Sequence, residues 1–205
     1  ENYHSNYFSW VHSWERIKNQ NLILNYKFKG FSFSLNIDRL QNHLYLDKEI
    51  VWQQEVNDLY KIESKFFKAW NFGIFNIHQK LSYNWVSNED LLRLPTYHLK
   101  NDFYLEADLF QNAMQTKIGL SVDYFKAYYA LAYSPALSDM YLQNNQLIGD
   151  YPLMIGFIEA QIQSATIRLQ ARNISDLLLD DKHYVLPEYP YVPMAIEFLV
   201  KWELR

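Results

Sequence analysis

The sequence contains no cysteine. That excludes a disulfide framework, a thiolate metal site and a thiol nucleophile. No stretch approaches the roughly 18 consecutive apolar residues of a membrane-spanning helix. Positive charge is not in excess: 19 Lys and Arg face 23 Asp and Glu, a net charge of −4, so a broad attraction to nucleic acid is not expected. Glycine and proline number only 5 and 6. There is no initiator methionine. The chain opens at Glu1, inside what reads as a strand and with no signal peptide, as expected of a processed or partial chain.

Aromatic residues are abundant. The 17 Tyr, 13 Phe and 6 Trp make up 18% of 205 residues. Apolar residues reach 49% while mean hydropathy is −0.31. Such a chain is too apolar to stay disordered. Its length suits one large all-β domain, and residues 1–205 are expected to form a single domain.

The dominant period is two. Phe31, Phe33, Leu35 and Ile37 alternate with Ser32, Ser34 and Asn36. Ile118, Leu120, Val122 and Tyr124 alternate with Lys117, Gly119, Ser121 and Asp123. Ile167, Leu169 and Ala171 alternate with Arg168, Gln170 and Arg172, and Ile196, Phe198, Val200 and Trp202 with Glu197 and Lys201. Successive side chains of a strand point to opposite faces, so each segment carries one apolar and one polar face. The pattern predicts about ten strands, over 2–14, 21–28, 31–46, 56–67, 71–86, 96–110, 115–126, 151–163, 166–175 and 191–204. Many reach the roughly 9–11 residues with which a tilted strand crosses a bilayer.

Connections alternate in length. Tight turns are expected at Lys29-Gly30, Ala69-Trp70, Gln111-Asn112-Ala113 and Ser164-Ala165, and long loops at 47–55, 87–95, 127–150 and 176–190. Short turns on one side and long loops on the other are the rhythm of a transmembrane meander. The expected fold is an all-β, antiparallel up-and-down transmembrane β-barrel, or part of a larger one. In hydrocarbon every backbone N–H and C=O needs a partner, which closure supplies.

In such a barrel the apolar face meets lipid and the polar face lines the lumen. The lining candidates are Lys61, Glu63, Lys80, Glu106, Asp108, Lys117, Asp123, Glu159, Arg168, Arg172, Glu197 and Lys201. Lys27, Asp38, Lys65, Asp102 and Glu203 share their phase. Neighbouring strands carry opposite signs, which supports register. Tyr83, Trp85, Tyr124, Phe198 and Trp202 are candidates for the lipid interface, where an apolar body with a polar edge is favoured. The same alternation is compatible with a soluble sheet whose aromatics cap a core or bind sugars.

Catalytic signatures are lacking: no GxSxG, HExxH, GxxxxGK[ST] or GxGxxG occurs. No enzymatic activity, cofactor or metal is expected. The histidines at 4, 12, 43, 78, 98 and 183 are scattered, without metal-ligand spacing. His183 near Asp180 and Asp181, and the acidic run Ser87-Asn88-Glu89-Asp90, read as solvated loops rather than cation sites. His12 between Ser9 and Ser13 lacks a third orienting group for a hydrolase.

A family resemblance appears in the loops. Tyr128-Tyr129-Ala130-Leu131-Ala132-Tyr133-Ser134-Pro135-Ala136 is followed by Tyr141-Leu142-Gln143-Asn144 and Ile148-Gly149-Asp150-Tyr151-Pro152. Ser87-Asn88-Glu89-Asp90-Leu91-Leu92-Arg93-Leu94-Pro95 precedes them and Pro187-Glu188-Tyr189-Pro190 follows. With these segments the chain resembles the putative outer-membrane porin family of Bacteroidota, most densely over 71–205. The resemblance implies a barrel in the bacterial outer membrane, a removed signal peptide, and similarity to the C-terminal part of longer proteins. Barrels of this kind usually end on an aromatic residue, whereas this chain ends Trp202-Glu203-Leu204-Arg205. The expected function is passive diffusion of small polar solutes. The alternative is a non-transporting barrel subunit of an outer-membrane assembly, docking other outer-membrane proteins or lipoproteins through loop 127–150. Outer-membrane lipid is the expected partner, and nucleic acid is not.

Overall fold

The computed structural model describes residues 2–4, 9–11, 13–179 and 183–203; His12, Asp180 and Asp181 lie outside them. Nine strands form one antiparallel sheet: β1 (Lys18–Phe28), β2 (Phe31–Gln41), β3 (Leu59–Phe72), β4 (Phe75–Val86), β5 (Tyr97–Leu109), β6 (Met114–Phe125), β7 (Leu153–Ile162), β8 (Ala165–Arg172) and β9 (Ala195–Trp202). Each strand pairs with its neighbours in sequence, so the sheet is an up-and-down meander. β1 and β9 each pair on one side only, and no closure joins them among the described residues.

Two expected strands are interrupted. Residues 2–14 do not form one strand: Asn2–His4 pairs antiparallel with Ser9–Val11, apart from the main sheet. Residues 31–46 break at Asn42, whose φ of 55° lies in the left-handed region that no strand accommodates. The turn expected at Ala69-Trp70 lies instead at Gly73-Ile74. Pairing with β4 runs on unbroken from Phe66 through Trp70 to Phe72, and Gly73 supplies the φ of 63° that a tight turn needs. Lys29 and Gly30, both at positive φ, form the expected two-residue turn between β1 and β2. The expected strand 166–175 stops at Arg172, because Asn173 is left-handed (φ 56°) and starts a 3-10 turn over Ile174–Leu177.

The tight turns share one end of the sheet and the long loops the other. At the loop end Ala132–Ser134, Asp139–Tyr141, Leu44–Leu46 and Trp52–Gln54 form a second, four-stranded sheet. Buried apolar residues concentrate there: Leu46, Leu59, Ala130, Ala132, Leu142, Ile148 and Tyr151. The conventional hydrophobic core of this chain therefore lies under its loops, not against its main sheet.

Candidate functional site

Register assigns every strand residue to a face. One row of directly opposed residues runs Phe72, Phe75, Leu105, Ile118, Ile158, Leu169, Phe198 from β3 to β9. These side chains are largely uncovered; Phe198 is 67% exposed and Ile118 51%. Most of the large residues on this face are exposed in the same way, from Leu22 and Leu24 on β1 to Ile196 and Trp202 on β9. Contiguous apolar patches larger than a few hundred Å² are rare on monomeric water-soluble proteins. Aromatics collect at both strand ends. Phe28, Phe31, Trp70 and Phe72 lie by the tight turns, and Tyr83, Trp85, Tyr97 and Tyr124 by the loops. Tyr97 and Tyr124 stack at 6.1 Å.

One residue along, the opposite face carries charge. Glu106, Lys117, Glu159 and Arg168 stand directly opposite one another on four successive strands, alternating in sign. Arg168 Nη1 lies 3.3 Å from Glu159, and Arg172 Nη2 lies 2.9 Å from Glu197. On the same face, toward the β1 edge of the sheet, Lys61 Nζ is 3.0 Å from Asp38, which also accepts a hydrogen bond from Asn21 Nδ2 at 2.6 Å. Lys65 Nζ lies 3.0 Å from Glu63. Asp123 is shared by His98 Nε2 (2.5 Å) and Lys100 Nζ (2.8 Å). Ser121 Oγ donates to Asp102 at 2.6 Å. Asp108 and Lys201 sit near the tight-turn end, opposite Gln115 and Thr166. Those opposite-charge pairs that join two strands support register at about 0.2–1 kcal/mol each.

Apolar side chains on the polar face have specific partners. Phe157 is buried opposite Gly119, with the Arg168 guanidinium 4.1 Å above its ring. Phe67 lies opposite Lys80, whose ammonium is 6.0 Å from the ring centre. Two recesses open on this face. The larger, of about 520 Å³, includes Lys27, Lys65, Lys80, Lys100 and His98 in its lining. The smaller, of about 270 Å³, is edged by His78, Asp102, Lys117, Glu159 and Arg168.

The loop layer is pinned by Asp150. Its carboxylate accepts hydrogen bonds from Lys126 Nζ (2.7 Å), Tyr124 Oη (2.8 Å) and the Ala127 amide (3.0 Å). The Lys126 ammonium holds the Asp150 carboxyl below the usual range and is itself pushed up by it. His183 stacks on Tyr151 at 4.6 Å and touches Tyr191 and Phe125. Burial there lowers its pKa, against the opposing field of Asp123. Burial likewise raises the Tyr128 phenol. Asn173 and Ser175 of the Asn-Ile-Ser sequence are buried: Tyr151 Oη donates to Asn173 Oδ1 (3.0 Å), and Asn173 Nδ2 donates to the Val192 carbonyl (2.9 Å).

All twelve charged residues singled out from the sequence fall on the polar face. Among the interface candidates, Tyr83, Trp85, Tyr124 and Trp202 lie towards strand ends, whereas Phe198 lies in mid-strand opposite Leu169. Sequence reasoning passed over His98 and His78 on the polar face. His98 joins Asp123, and His78 meets the Tyr104 hydroxyl at 3.3 Å. Strand phase was the available signal, since both alternate in step with Lys80 and Asp102. Among the described residues no group of three His, Asp or Glu is placed to hold a metal ion.

An all-β meander with a charged face backed by an uncovered apolar one has the alternation of outer-membrane-type sheets, with lipid-side and lumen-side residues in turn. A family model described as "Putative porin" matches residues 1–204, and the chain belongs to that family. No curated protein and no solved structure matches the chain significantly.

Proposed function

We propose that the protein is an outer-membrane porin-like β-barrel through which small polar solutes diffuse passively. The observation that carries this reading is the two-faced sheet: an apolar row from Phe72 to Phe198, directly behind the charged row Glu106–Lys117–Glu159–Arg168. In water the apolar row would need a second layer, and none covers it among the described residues. Lipid supplies that cover. β1 to β7 have 10–14 residues each, long enough to cross hydrocarbon when tilted. Closure then pairs the free edges of β1 and β9, either with each other or with further strands of a larger barrel. The ion-paired face becomes the lumen wall. Membership of the porin family supports the same location and role. The experiment is reconstitution of the full-length protein in planar bilayers. Discrete conductance steps are expected, and their absence at protein densities that insert fully would sink the pore.

The loop layer favours a second role in the same molecule. Tyr133 and Tyr189, in edge-to-face contact at 6.5 Å, are both partly exposed on it. Exposed tyrosines are common anchors for a partner, here another outer-membrane protein or a lipoprotein. Gentle detergent extraction decides this: a protein that always migrates alone has no such partner.

A further inference from the structure

We infer that the larger recess on the polar face is an anion-binding station, selecting small solutes that carry a phosphate, sulfate or carboxylate group. The inference rests on the porin reading for the solute's access, but the site itself rests on the residues. Lys27, Lys65, Lys80 and Lys100 line the recess with His98, and none of its lining residues is a carboxylate. Lys65 and Lys100 have acidic partners, Glu63 and Asp123. Among the described residues neither Lys27 nor Lys80 has a carboxylate within ion-pair distance. Even after Glu63 and Asp123 are counted, the recess keeps two uncompensated lysines.

Lys80 and Lys100 also stand directly opposite each other on β4 and β5. Like charges in that position are destabilising. The rest of the face avoids such pairs: the row Glu106–Lys117–Glu159–Arg168 alternates strictly, and the smaller recess balances Lys117 and Arg168 with Asp102 and Glu159. An anion seated between the ammonium groups removes the repulsion and gains charge-assisted hydrogen bonds. The hydroxyls of Ser32, Ser34 and Ser82 in the same lining add neutral donors. A volume of about 520 Å³ falls within the usual range for small-molecule sites, about 300–1,000 Å³. It therefore admits an anionic group together with a small organic body.

The test uses the full-length protein folded in neutral-lipid bicelles, with inorganic phosphate as the probe. Calorimetric titration is expected to show saturable phosphate binding. Lys80→Gln or Lys27→Gln should weaken it about tenfold, the worth of one charge-assisted hydrogen bond. Lys117→Gln, in the balanced recess, should leave it unchanged. Neither Lys80→Gln nor Lys27→Gln orphans a carboxylate, so unaltered circular dichroism is expected and separates binding from folding. No phosphate binding by the wild type, or binding indifferent to both lysine substitutions, overturns the inference. So does displacement of the effect to lipid, seen as competition by phosphatidylglycerol in the bicelle with no response to free phosphate. Bilayer recordings read the two proposals apart. Phosphate binding without conductance defeats the porin reading alone. Conductance whose zero-current potential in a KCl gradient is cation-selective defeats the anion station alone.

Discussion

Gly119 and Phe157 stand directly opposite each other on β6 and β7, and the phenylalanine ring takes the space that the glycine leaves. A Cβ at position 119 would lie 2.9 Å from Phe157 Cζ and 2.4 Å from the Phe103 carbonyl oxygen. The ring in turn is the platform for Arg168. Gly119→Ala is expected to destabilise the folded protein by about 1–3 kcal/mol through overpacking. Phe157→Ala should cost about 3 kcal/mol. Urea unfolding followed by tryptophan fluorescence measures both. A neutral Gly119→Ala would show that the strands separate locally at no cost.

The orientation of the two faces is testable on a single strand. Ile118 and Gln115 both lie on β6 but on opposite faces. Ile118→Arg should cost about 2–4 kcal/mol if that side meets the hydrocarbon midplane. Gln115→Arg should be close to neutral, since its direct neighbour is Asp108. Folding yield into phosphatidylcholine vesicles reads the difference. If the apolar face met water, Ile118→Arg would be the harmless substitution.

Acid is expected to loosen the loop layer at Asp150. The Lys126 ammonium depresses its pKa, so the folded state binds fewer protons there than the unfolded state. The resulting stabilisation is complete above the ordinary aspartate value of about 3.9 and is lost as pH falls through the depressed value. Hydrogen exchange at the Ala127 amide, which donates to Asp150, should accelerate in that range. Asp150→Asn keeps a residue suited to the positive φ of 52°. It should make that amide exchange rapidly at neutral pH and remove the acid dependence.

His183 should add a second pH response at milder acidity. Burial against Tyr151 lowers its pKa, so its contribution holds above about 6.5 and fades as pH falls through the lowered value. His183→Phe keeps the stacking and is expected to flatten the thermal-stability profile as pH falls below about 6.5. An unchanged profile would place the titration elsewhere.

Asn173 links three parts of the loop end through its left-handed backbone and its bonds to Tyr151 and Val192. Asn173→Ala removes the hydrogen bonds to the buried Tyr151 hydroxyl and to the Val192 carbonyl and strains φ, and is expected to cost about 2–4 kcal/mol. Limited proteolysis within 173–194 should then precede cleavage elsewhere.

Much of this arrangement was legible in the residues. Alternation fixes which side chains share a face, because Cβ direction reverses at every strand residue whatever the strand pairs with. Ile158 and Glu159 had to face apart, and so did Phe198 and Glu197. The short and long connections were legible for the same local reason. Several boundaries were not. Gly73 rather than Ala69 ends β3, because Trp70 and Phe72 find paired partners in Ile77 and Phe75. Asn42 and Asn173 cut strands that period alone would have continued, since a single left-handed residue leaves the alternation of its neighbours untouched.

By itself, then, the sequence determined an all-β chain with one apolar and one charged face, and it determined the sign of each charge on the charged face. The tertiary structure decided who stands opposite whom. Register is a non-local quantity, set by turn geometry and by the summed fit of many cross-strand pairs. It set Glu106, Lys117, Glu159 and Arg168 in a neutralised row, yet placed Lys80 against Lys100 in a recess without carboxylates. It also gathered the buried apolar residues beneath the loops, leaving the aromatic face of the main sheet uncovered.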